Sequence, residues 1–118
     1  MNIKDLPTFI KDSMRYRQVL TYTISDNDSR ISFEELLDEM GFKEMDDQST
    51  WALPFGSNLT HSKVVTKIKN WSTSDDAELD KDDFIQIFRA VVVAENGKNY
   101  PGIDSMLLVY DPKTRGLN

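Results

Sequence analysis

The sequence predicts a mainly α fold assembled from two helix–loop–helix units. Apolar residues recur at helical spacing in two stretches. Phe33, Leu36, Leu37 and Met40 stand at offsets 0, 3, 4 and 7, and Phe84, Ile87, Phe88, Val91 and Val92 at 0, 3, 4, 7 and 8. A short polar, acidic stretch precedes each of them, Ser25 to Ser29 and Ser72 to Asp76. With 118 residues, 39% of them apolar, the chain has the size of one ordinary domain with its own core.

Along the chain, Asp5-Leu6-Pro7 reads as a helix start, since proline in a first turn loses no intrahelical bond. Ile10, Met14, Val19 and Leu20 extend that helix towards Tyr22, although Thr21 to Ile24 is β-branched and aromatic enough to suit a strand. The next helix begins at a capping box, Ser32 with Glu35 three residues later, and stops at Gly41. Residues 43–61 form a linker holding Pro54 and Gly56, in which Trp51, Leu53 and Phe55 alternate. Val64, Ile68 and Trp71 place a helix over residues 62–71. The helix carrying Phe84 ends near Gly97, and the β-branched run Val91 to Val93 leaves a strand reading open there. Ile103 to Tyr110 suits a strand or a short helix. The domain thus covers residues 1–97, with an apolar tail over 98–118.

Composition excludes several chemistries. The chain has 14 basic and 20 acidic residues, a net charge of −6, so it repels phosphate backbones and nucleic acid is not an expected partner. Without cysteine there is no disulfide, thiolate metal site or thiol nucleophile. The single histidine, His61, sits near a helix start as an exposed residue. The longest apolar run, Ala90 to Ala94, is far short of the roughly 20 residues of a membrane helix. A non-catalytic, cytoplasmic protein is expected; no phosphate loop or nucleophile elbow is present.

The two units align as a repeat, Asp26 to Leu36 over Ser74 to Phe84. Each has acidic residues two apart, then an aliphatic (Ile31 or Leu79), then an acidic residue four later (Glu35 or Asp83). A hard cation needs about six to eight oxygens, which alternating loop side chains and a carboxylate at the exiting helix supply.

The pattern resembles the EF-hand family, with hands over about residues 7–42 and 62–96. The acidic-Ile-Ser-Phe-Glu-Glu-Leu string is its most specific part. The resemblance implies a pair of hands joined by a short β-bridge between Ile31 and Leu79. It also implies possible metal ligands at Asp26, Asp28, Ser32 and Glu35 in one loop and at Asp76, Asp80 and Asp83 in the other. Both loops depart from the family. Ile24 stands where the first Asp belongs, Ser29 and Ala77 replace the sixth-position glycine, and Asp83 is shorter than the closing Glu. The implied sites are weak or vestigial, holding calcium or magnesium loosely if at all.

EF-hand proteins of this kind act as light chains or adaptors. The implied function is a calmodulin-like or myosin light chain-like module that grips a basic, IQ-type amphipathic helix largely without calcium. The cleft would use Phe33, Leu36, Leu37, Met40, Phe84, Ile87, Phe88 and Val91, with Met14, Met45 and Met106 adding adaptable surface. One alternative is a weak calcium buffer or sensor using the first loop. The other is an α+β acidic inhibitor or immunity-type protein covering a basic site on an enzyme, with strands over Thr21–Ile24, Ile85–Ala94 and Ile103–Tyr110.

Overall fold

The structure, a computed structural model, describes residues 16–45, 49–54 and 57–118. It has an antiparallel sheet and two helices in the order β1 (Tyr16–Thr23), α1 (Asn27–Glu39), β2 (Lys43–Glu44), β3 (Thr50–Pro54), α2 (His61–Ser72), β4 (Phe84–Glu95), β5 (Lys98–Asp111) and β6 (Gly116–Leu117). Spatially the strands run β2-β3-β1-β4-β5-β6, every neighbour antiparallel. The first four strands with both helices form a β-α-β-β-α-β unit, the double split arrangement of ferredoxin-like folds, and β5 and β6 extend its edge.

This overturns the mainly α reading and the EF-hand resemblance with it, together with the calmodulin-like, light-chain and calcium-binding character it implied. An EF-hand is all-helical, whereas the described chain is dominated by a six-stranded sheet. The error starts at β1 and β4. In β1, Leu20, Tyr22 and, just beyond it, Ile24 point to one side at the period of two that a strand requires. The Pro7–Arg15 part of the helix expected there, with Ile10 and Met14, lies outside the described residues. In β4, Ile85 and Ile87 are buried opposite Tyr22 and Leu20, while Phe84 and Phe88 lie on the other face. Offsets of 4 and 8 are even, so Phe84, Phe88 and Val92 satisfy a helix and a strand equally.

The β4–β5 hairpin turns through Asn96-Gly97, both with positive φ (52° and 75°), between the paired Glu95 and Lys98. A two-residue turn of this kind matches the right-handed twist of its strands, and Asn-Gly is its preferred pair. Gly97 ends no helix. The expected tail is instead β5, paired with β4 from Lys98 to Val109.

Both expected central helices exist. Asp26 caps α1 by accepting from the Ser29 N–H at 2.9 Å, six residues before the capping box predicted at Ser32. At its end, Gly41 (φ 93°) donates to the Asp38 carbonyl and Phe42 to that of Leu37, both at 3.0 Å. That pairing is a Schellman motif, and it needs a residue that tolerates positive φ at Gly41. Thr60 caps α2 through the Lys63 N–H. Phe33 and Leu37 from α1 and Val64, Ile68 and Trp71 from α2 pack on Leu20, Tyr22, Leu53, Ile85, Ile87 and Leu108 of the sheet. This one core holds the helices on one face; burial of such side chains contributes roughly 1.5–3 kcal/mol each. No described helix is long and apolar enough to cross a membrane.

Candidate functional site

The loop before α1, the loop from α2 to β4 and the β5–β6 turn all leave the sheet at the same end. Thr23 at the close of β1 pairs with Phe84 at the start of β4, which pairs with Val109 near the close of β5. The two acidic stretches that align in sequence are therefore neighbours in space, joined by hydrogen bonds.

Asp83 is buried and takes three donors. Its Oδ1 accepts from the Ser25 N–H at 3.1 Å, and its Oδ2 from the Ser25 hydroxyl at 3.3 Å and the Asp80 N–H at 2.9 Å. Ser29, also buried, donates its hydroxyl to Asp26 at 2.8 Å and accepts the Glu78 N–H at 2.7 Å. These bonds from the Ser29 N–H and hydroxyl hold the Asp26 carboxyl below the usual range. Ser32 accepts from the Trp71 indole N–H at 3.0 Å. Asp26 is thus engaged in capping, Asp83 in loop closure and Ser32 in a contact between the two helices.

Asp28, Glu35, Asp76 and Asp80 are exposed. Among the described residues, no three His, Cys, Asp or Glu side chains stand where they could share one metal ion. Ile31 and Leu79 form no bridge: Ile31 lies on α1, 44% exposed, and Leu79 packs at the margin of the core. The residues assigned to a partner cleft are distributed through the fold. Phe33, Leu37 and Ile87 are core, Leu36 and Met40 pack against it, and Phe84, Phe88 and Val91 belong to β4.

What the arrangement presents outward is charge. Asp28, Asp75, Asp76, Glu78, Asp80 and Asp82 are exposed at this end, against Lys81, Lys113 and Arg115. Arg30 is committed to Glu34 at 2.8 Å and to Asn27 at 2.7 Å. Ser25, Asp26, Glu78, Asp80, Lys81 and Tyr110 line a shallow hollow between the loops. Beside it, β5 exposes Leu107 (54%) and Val109 (38%) on the sheet face turned away from the helices. Sequence reading named Ile103 to Tyr110 as an apolar segment and, in the α+β alternative, as a strand, but did not place it beside the acidic loops; the Asn96-Gly97 pair was the sign of the hairpin that puts it there. No protein-family model matches the chain, and the searches of curated proteins and of solved structures found no match to it.

Proposed function

We propose that the chain is a non-catalytic, acidic α+β binding protein of inhibitor or immunity type, which covers a basic site on a partner enzyme. The observation that supports this most is the gathering of six exposed carboxylates, against three cations, from two loops and a helix start at one end of the sheet. A surface of one sign raises encounter rates with an oppositely charged partner and rejects like-charged ones. Leu107 and Val109 add an apolar contact next to the charged zone, as a specific interface needs. The cysteine-free composition supports a cytoplasmic setting as part of the same proposal.

Affinity capture followed by mass spectrometry tests the reading, comparing the wild type with an Asp75→Lys/Asp76→Lys/Glu78→Lys variant. The wild type is expected to enrich a basic protein, and the charge-reversed variant to lose it. Retention of the same partner by that variant would refute the reading.

A further inference from the structure

A second polar site lies at the start of α2, away from the acidic end. Gln18 of β1 is 1% exposed, yet its amide nitrogen Nε2 has no hydrogen-bond partner. Its Oε1 lies 3.0 Å from Nδ1 of His61, the first residue of α2. Arg89 stands directly opposite Gln18 on β4. Gln18, His61, Ser62 and Arg89 line one cleft of about 320 Å³.

A buried amide nitrogen without an acceptor costs free energy comparable to a lost hydrogen bond, so its presence in a cleft points to an acceptor that enters from outside. The first turn of a helix adds N–H groups that have no intrahelical acceptor, together with the positive end of the helix dipole. Arg89 adds a fixed positive charge. Its Nε and Nη2 both engage Asp104 of β5 through one oxygen, at 3.1 and 2.9 Å, which leaves Nη1 for a ligand. All of these groups donate, and their common complement is a compact oxyanion with several acceptor oxygens.

We propose that this cleft binds a small phosphate-class oxyanion, held by Gln18 Nε2, Arg89 and the His61 and Ser62 N–H groups at the start of α2. Asp104 is the opposing element. Its carboxylate shares the guanidinium with the incoming anion and repels it, so the Arg89–Asp104 pair sets the affinity. The site does not depend on the docking function proposed above, since it uses none of the acidic-end residues.

Amide NMR of the full chain, titrated with inorganic phosphate and in parallel with glycerol 3-phosphate, tests the proposal against sodium chloride at matched ionic strength. Saturable shifts are expected at the Gln18 side-chain amide and at the His61 and Ser62 N–H groups with at least one phosphate probe. The tighter probe distinguishes free phosphate from a monoester. Arg89→Gln should weaken binding by about tenfold, and Asp104→Asn, an exposed change that frees the guanidinium, should strengthen it. Shifts that follow chloride equally, or that do not saturate with either phosphate, would overturn the proposal. So would an Asp104→Asn variant that binds no more tightly than the wild type.

Discussion

Asp83 grips Ser25 across 58 residues of sequence, one carboxylate oxygen taking the serine N–H at 3.1 Å and the other its hydroxyl at 3.3 Å. With the Asp80 N–H on the same carboxylate, this contact ties the start of α1 to the start of β4 and fixes the acidic end. Asp83→Ala removes an acceptor from three donors in a buried place, and is expected to cost roughly 2–4 kcal/mol in chemical denaturation. Asp83→Asn, which keeps one acceptor oxygen, should lose less.

Asp26 and Glu35 make a sharper contrast. An EF-hand would make Glu35 the indispensable closing ligand, but here it is an exposed residue on α1. Glu35→Gln should leave stability within about 0.5 kcal/mol. Asp26→Ala removes the cap of α1 and should cost about 1 kcal/mol in the same denaturation assay.

Much of the helical content was legible because its signals were redundant. Phe33, Leu36, Leu37 and Met40 combine a helical face with a glycine stop, and Val64, Ile68 and Trp71 repeat that period between polar residues. The strands were obscured for a physical reason. Phe84 to Ala94 is so apolar that residues on both faces of a strand also populate a helical stripe, and the arbitrating signal was the Asn96-Gly97 turn. The second acidic stretch, from Thr73 on, was read correctly as a loop, whereas most of the first, from Asn27 on, is the opening turn of α1. Alternating carboxylates before a helix serve as caps and loop ties as readily as metal ligands, so the pattern alone did not decide their chemistry. Gln18, as a polar residue in an apolar strand, carried no local sign that its amide would be buried.

Gly116 closes the sheet edge against α2. A methyl group there would stand 2.6 Å from Thr73 Cγ2 and 3.3 Å from Ser72 Oγ. Thr73 holds the Asn70 carbonyl through its hydroxyl, and Ser72 Oγ accepts the Leu117 N–H at 3.0 Å, so neither moves without losing a bond. Gly116→Ala is expected to lower stability by roughly 1–3 kcal/mol. Faster hydrogen exchange at the Leu117 N–H would locate the damage.

Tyr22 gives an alkaline signature. Burial pushes its hydroxyl up to about 12 from an ordinary 10.0, opposed by the neighbouring Trp51 and reinforced by Glu34. The folded state holds this proton more tightly than the unfolded chain, so the contribution is complete below pH 10 and is lost as pH rises through about 12. Denaturation midpoints measured across that window should fall for the wild type and fall less for Tyr22→Phe.

His61 acts at the other end of the scale. Burial, and then the Arg89 charge, hold its pKa below 6.5, with Asp104 opposing them. Its contribution to stability is complete above pH 6.5 and is lost as pH falls through the lowered folded value. Thermal unfolding of His61→Gln should therefore show a weaker acid dependence than the wild type from pH 6.5 downward.

Hydrogen-exchange mass spectrometry of the captured complex tests the central claim most directly, because it maps where the partner sits. Docking of a basic site on the acidic end predicts protection over residues 73–83 and 110–115 and along the exposed part of β5. Protection confined to the opposite end, around the start of α2 and the Asn96-Gly97 turn, with residues 73–83 exchanging as in the free chain, would contradict it.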